Sequence, residues 1–128
     1  MGENLPDEVD GIDATLVLGV DNVLRLRLRW ARGISIVEDD ARLAMARVNE
    51  LSAGASHPML VDMATTKSVS RGARTVFGLP CSASRIALLG SSQVDKVIAN
   101  FILGISTLPC PTRFFTSEQA AVDWLKEE

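Results

Sequence analysis

The sequence predicts an α/β domain. An N-terminal β-hairpin is followed by alternating helices and parallel strands, in a mixed sheet of about five strands with about four helices. Three observations predict it. Leu24, Leu26, Leu28 and Trp30 alternate with Arg25, Arg27 and Arg29, which is the period of a strand buried on one face. Apolar residues then recur at helical spacing from Val37 to Leu51. Beyond them, the apolar runs 58–63 and 85–89 are too short for helices and are separated by helical patterns. Strand–helix–strand units of this kind pair their strands in parallel.

Each element has its own signal. Thr15-Leu16-Val17-Leu18-Gly19-Val20 is apolar, Asp21-Asn22 tolerates positive φ, and alternation follows at once, so a two-residue hairpin turn is expected. Ser35 and Glu38 have the spacing of a capping box, with Ser35 as N-cap. Val37, Ala41, Ala44, Val48 and Leu51 form the inward stripe of that helix, and Gly54 supplies its left-handed end. Pro58 to Met63 reads as a strand, Ala64 to Ser70 as a polar loop, and Arg71 to Phe77 as a short helix with Ala73, Val76 and Phe77 inward. Gly78-Leu79-Pro80 breaks the chain before the buried strand Arg85 to Leu89. Gly90-Ser91-Ser92 then turns into a helix, Ser92 and Asp95 again having capping-box spacing. Val94, Val97, Ile98, Phe101, Ile102 and Ile105 make that helix apolar on more than one side. Pro109 and Pro111 hold Cys110 in an extended connection. Arg113-Phe114-Phe115 is a last short strand, and Thr116-Ser117 caps a final helix with Ala120, Ala121, Trp124 and Leu125 inward.

At 128 residues the chain is expected to form one domain over 11–128, preceded by a flexible acidic tail, 1–10, with four acids. A net charge of −3, from 13 Lys and Arg against 16 Asp and Glu, argues against a dedicated nucleic-acid binder. The start lacks the basic and apolar regions of a secretory signal, and Pro6 stands where a myristoylation pattern needs Ser or Thr. No apolar run reaches the ~18 residues of a membrane span. Cys81 and Cys110 form no Cys-x-x-Cys unit, so they read as reduced thiols of a cytoplasmic protein. One His and no Tyr leave few catalytic constellations open, and no cofactor, metal or catalytic residue is assigned.

Sites in parallel α/β sheets gather beyond the carboxyl ends of strands, which singles out the loop from Asp62 to Gly72, with Arg74 just beyond it. Asp62, Thr65, Thr66, Lys67, Ser68, Ser70, Arg71 and Arg74 offer hydroxyls and cations together. They suit an anion or small ligand, or a phosphoryl group on Ser70 offset by Lys67 and Arg71. The plainer explanation is that Ser68 or Ser70 caps a helix and the charges are solvated. Gly90-Ser91-Ser92 lacks the lysine and glycine spacing of a phosphate loop and reads as a capped turn. The Arg25, Arg27, Arg29 ladder, with Arg32 beyond it, has no interleaved aromatics for base stacking and reads as a solvated or ion-paired sheet face. The apolar helix from Val94 to Ile105 suits a subunit interface, a doubly packed core element, or the lid of a cavity. His57 has no acid or nucleophile beside it in sequence; only a pocket uniting it with Asp62 and Arg71 would revive an enzyme.

Hairpin, helix, Met59-to-Met63 strand, serine-containing loop and two further strand–helix units resemble the STAS, or anti-sigma-factor antagonist (SpoIIAA-like), fold. The second half resembles a group of bacterial STAS-like proteins of unknown function through Lys96-Val97-Ile98-Ala99-Asn100-Phe101, Pro111-Thr112-Arg113-Phe114-Phe115-Thr116 and Glu118-Gln119-Ala120-Ala121-Val122-Asp123-Trp124-Leu125. The closing Phe-Thr-x-x-x-x-Ala-x-x-Trp-Leu string is also similar to the end of domains grouped with the CRAL-TRIO lipid-binding fold. STAS regulators of sigma factors carry Asp-Ser-(Ser/Thr)-Gly at the start of the helix after this strand. Val69-Ser70-Arg71-Gly72 matches it at Ser70 and Gly72, while Val69 replaces the acid and Arg71 the second hydroxyl. The resemblance thus implies a regulatory or protein-interaction module with Ser70 as phosphosite and a regulator or kinase as partner, while the apolar helix from Val94 to Ile105 suggests a second copy of the chain, as a homodimer. The alternative is a small-molecule or lipid-like ligand-binding protein, and an enzyme is the least supported class.

Overall fold

A computed structural model describes residues 8–9, 11–104 and 108–127. Its strands are β1 (Glu8–Val9), β2 (Ile12–Leu18), β3 (Leu24–Trp30), β4 (Ser35–Ile36), β5 (His57–Asp62), β6 (Ser68–Val69), β7 (Ala83–Leu89) and β8 (Thr112–Phe115). Its helices are α1 (Glu38–Ser52), α2 (Arg71–Phe77), α3 (Gln93–Leu103) and α4 (Glu118–Leu125). The main sheet runs β1-β2-β3-β5-β7-β8. The first three strands pair antiparallel, and β3-β5, β5-β7 and β7-β8 pair in parallel. This is the mixed sheet expected from the sequence, extended at one edge by the two-residue β1. The rest of the expected tail, residues 1–7 and 10, lies outside the described residues, as does Ile105.

Alternation along the strands sorts the two faces. Ile12, Ala14, Leu26, Leu28, Met59 and Val61 pack with Ala41, Ala44 and Val48 of α1, Ala73 and Val76 of α2, and Ala99 of α3. The intervening Leu60 and Ala87 pack on Ala121 and Leu125 of α4. One helix therefore covers one face and three cover the other. The arginines of β3 share the α4 face, since Arg27 stands beside Leu60 in register. They are ion-paired: Arg25 with Asp21, Arg27 with Glu118 at 3.3 Å, and Arg29 with Asp13 at 3.2 Å.

Local departures have tertiary causes. Ser35 does not cap α1. Ser35–Ile36 is drawn into a parallel pairing with Ser68–Val69, so the expected polar loop contains a short strand and the helix begins later. Val37 becomes the N-cap, exposed rather than inward, and its N–H donates to Asp40 Oδ2 at 3.0 Å. At the end of α1, Ala53 enters the left-handed region (φ 50°) before Gly54 (φ 88°). The hairpin turn is longer than two residues. Asn22 N–H donates to Gly19 O, Gly19 N–H to Val23 O, and Asn22 takes the positive φ of a turn followed by a left-handed residue. Leu24, near that tip, is exposed, and Ala120 is exposed on the outer side of α4. Gly90 is required by close approach. A Cβ there would fall 2.7 Å from both Asp95 Cβ and Phe114 Cε1.

Candidate functional site

The carboxyl ends of β3, β5 and β7 lead into the loops 31–34, 63–67 and 90–92. Here Asp62 is buried, and Arg32 donates to both its oxygens, Nη1 to Oδ1 at 2.8 Å and Nη2 to Oδ2 at 3.2 Å. The Ala64 N–H donates to Oδ1 as well, at 3.1 Å. Burial pushes the Asp62 carboxyl up. The Arg32 and Ala64 hydrogen bonds and the charges of Arg32 and Arg27 outweigh it and hold the group below the ordinary 3.8. Arg32 is correspondingly pushed above its ordinary value, first by its hydrogen bond to Asp62.

The folded carboxyl thus titrates below the unfolded one. Its contribution is complete above the unfolded value and is lost as pH falls through the folded value. Asp62→Asn is expected to cost about 1–2 kcal/mol at neutral pH, because Asp62 is buried while Arg32 is half in water. The gap between variant and wild type should close as pH falls below the ordinary carboxyl range. Urea unfolding at neutral and acid pH checks this; a gap of constant size contradicts it.

Asp95 is the hub of the same region and is 1% exposed. Its Oδ1 accepts from Thr65 N at 3.0 Å; its Oδ2 accepts from Ser91 N at 2.7 Å and Ser91 Oγ at 3.0 Å. Ser92 Oγ caps α3 by accepting from Asp95 N at 3.3 Å. Only half of the expected capping box forms, because the buried carboxylate accepts from Thr65 and Ser91 instead. Thr65 needs that support: it is a β-branched residue at φ 60°, a conformation that costs an L-residue about 1–2 kcal/mol. Gly33 N–H donates to both Thr65 O (3.0 Å) and Thr65 Oγ1 (3.3 Å), holding it from the other side.

The eight residues singled out from sequence do not converge. Asp62 is held in its ion pair and Thr65 in its turn. Arg74 is carried away by α2: its Nε donates to Phe101 O at 2.7 Å, and its guanidinium lies 4.8 Å from the centre of the Phe101 ring. Lys67, Ser68 and Arg71 are exposed and flank Ser70, which is half-buried. Ser70 is the N-cap of α2, its Oγ accepting from Ala73 N at 3.0 Å while its own N–H donates to Ile36 O. His57 and Asp62 stand at opposite ends of β5, roughly 16 Å apart at 3.3 Å per residue, too far for their side chains to meet.

Thr66 goes inward. It is 2% exposed, and its Oγ1 has no hydrogen-bond partner among the described residues. It lines a cavity of about 50 Å³ between the three-helix face of the sheet and α1, α2 and α3, with Trp30, Met59, Phe77 and Ile102 among its walls. A buried hydroxyl left unpartnered costs about 1–3 kcal/mol. Cys81 also borders this cavity. Burial, then the neighbouring Cys81, pushes the Cys110 thiol up to about 11, which keeps it protonated and a poor nucleophile at neutral pH.

Arg32, Asp95 and the Thr66 cavity were not identifiable as parts of this region from sequence. Arg32 read as the end of a surface ladder and Asp95 as a local cap. Nothing in a polar loop marks one threonine of two as the buried one.

A family model described as a domain of unknown function, DUF7793, matches residues 20–128. No curated protein matches the chain. Among solved structures, an uncharacterised protein of the DUF3478 family with a SpoIIAA-like fold, from Shewanella loihica PV-4, is similar at a TM-score of 0.62. The two share 18% identity over 95% of this chain and 99% of that one. A protein of unknown function from Arthrobacter sp. FB24 shares 62% identity over 89% of this chain and 100% of that one, at a TM-score of 0.35. The likeness to the Shewanella protein and the sheet order described above establish the SpoIIAA-like fold. Among the described residues, no helix is long and apolar enough to cross a membrane.

Proposed function

The chain belongs to the DUF7793 family, and we propose that it is a non-catalytic regulatory module working through contact with other proteins. Residues 11–128 are its single folding unit, and the cytoplasm, where Cys81 and Cys110 stay as free thiols, is its setting. One observation carries the reading. At the sheet end where α/β domains hold substrates, Asp62 and Asp95 are consumed by structural bonds, while Lys67, Ser68 and Arg71 stand outward around Ser70. An exposed rim of this kind meets a macromolecule more readily than it encloses a substrate.

Ser70 is where such a contact would be switched. Its hydroxyl links the loop to α2 through the Ala73 N–H and its backbone links it to β4, so a group added there acts on both. A phosphoryl group adds between about −1.5 and −2 charges and three acceptor oxygens, which Lys67 and Arg71 partly offset. A second copy of the chain is one partner in this reading. Val94, Val97 and Phe101 leave an exposed apolar stripe on α3, and sedimentation showing only monomer at micromolar concentration would remove the homodimer.

Ser70→Ala should cost about 1 kcal/mol through the lost cap, whereas Ser70→Asp keeps it. Both variants should show wild-type far-UV circular dichroism. Pull-downs with wild type, Ser70→Ala and Ser70→Asp are expected to recover different protein sets; identical recovery by all three overturns the reading.

A further inference from the structure

We propose that α3 and the adjoining side of α2 form a docking surface for an acidic amphipathic helix of another protein. This surface presupposes the protein-contact reading but not Ser70, so the pull-downs above and the titration below can fail separately.

Charge is spread unevenly along the chain. Residues 63–117 carry six Lys and Arg against a single acid, Asp95, while the rest of the chain carries seven against fifteen acids. Asp95 is buried and spent on Thr65 and Ser91. Two of the six cations, Arg85 and Arg113, stack on Trp124 and Phe115 on the α4 face. The other four, Lys67, Arg71, Arg74 and Lys96, lie on or beside α2 and α3. Lys67, Arg71 and Lys96 are exposed and pair with no acid among the described residues. Glu38, which borders α2 at Gly72, is bonded to Arg42 at 2.6 Å. A surface with this excess of cations attracts an acidic partner.

An apolar stripe runs between those cations. Val94, Val97 and Phe101 follow at i, i+3 and i+7 on α3, with relative exposures of 67%, 68% and 37%. Arg74 of α2 borders the stripe on one side, its guanidinium over the Phe101 ring. Lys96 borders it on the other, one residue and about 100° round the helix from Val97. This spacing is that of a seam between two packed helices. A helix laid along it would bury its own apolar stripe and set flanking Glu or Asp against Lys96 on one rim and against Arg71 and Arg74 on the other. An extended peptide needs a free sheet edge, which α3 does not offer. A second copy pairing α3 with α3 would bring cation against cation, so charge favours the acidic partner.

The probes are two helical peptides of about 20 residues, one repeating Glu-Leu-Leu-Glu-Glu-Leu-Glu and the other with Lys in place of Glu. In ¹H–¹⁵N correlation spectra of the full chain, the acidic peptide is expected to shift the amides of Lys96, Val97 and Phe101 saturably. The basic peptide should bind more weakly by about tenfold or more. Val97→Glu and Lys96→Glu change exposed positions and should keep the wild-type far-UV spectrum. Val97→Glu should abolish the shifts, and Lys96→Glu should weaken binding about tenfold. Salt at about 0.5 M should weaken the wild-type complex, because the rim charges are in water. No saturable shift with the acidic peptide, equal binding of the two peptides, shifts that avoid α2 and α3, or either variant binding as tightly as wild type would overturn the proposal. So would tighter binding of the same face to phosphatidylglycerol vesicles, or self-association through α3 that excludes the peptide.

Discussion

Trp30→Ala is expected to remove about 4 kcal/mol of stability and to lower the melting temperature by about 15 °C. Trp30 is 2% exposed at the end of β3, where its ring packs edge to face on Phe77 of α2 and walls the Thr66 cavity. Truncation would enlarge a space that already exists. The surrounding side chains have little freedom to collapse into it, because α1, α2 and the sheet meet there. A domain of this size has on the order of 5–15 kcal/mol in total, so the variant should unfold at much lower urea concentration. Trp124 is the internal control. It is half-buried on the opposite face, 5.6 Å from the Phe115 ring and with the Arg85 guanidinium 4.5 Å above it. Trp124→Ala should cost clearly less, and equal losses in urea titrations of the two variants would contradict this account.

Asp95→Ala is expected to cost about 3 kcal/mol. The substitution leaves three donors, the Thr65 and Ser91 amides and the Ser91 hydroxyl, without their shared acceptor. It also releases Thr65 from a backbone conformation that nothing local favours. Asp95→Asn should recover only part of this, because even with its oxygen toward Ser91 the amide presents its NH2 to the Thr65 N–H, which loses its acceptor. Equilibrium unfolding gives the magnitude, and amide hydrogen exchange gives the location. Exchange at Thr65 and Ser91 should accelerate in both variants more than at Met59 or Leu60 in the sheet interior. Uniform acceleration would mean that Asp95 supports global stability without organising these loops.

Much of the fold was legible because periodicity reports burial. The Leu/Arg alternation of β3, the stripe Ala41-Ala44-Val48 and the bounds of α2 follow directly from which side chains must leave water. Capping was less legible. Ser92 and Ser117 cap as expected, each accepting from the amide three residues on, but Ser35 does not, because a distant strand competes for its backbone. The contacts made by the residues around Asp62 were not legible. Eight polar residues adjacent in sequence were dispersed by the geometry of the elements that carry them. Arg74 turned toward α3, Thr66 toward the interior, and Ser70 toward the start of α2.

By itself the sequence determined the order of the elements and the apolar face of most of them. These depend on local patterning, which every few residues carry within themselves. The tertiary structure alone decided which strand ends are neighbours, and hence that Arg32 meets Asp62 and that Asp95 meets Thr65, each pair 30 positions apart. It also decided that one hydroxyl of the pair Thr65 and Thr66 is sealed beside an apolar cavity. Such contacts depend on parallel crossovers and on how helices seat against the sheet. That placement is a property of the whole packed core, and no local spacing encodes it.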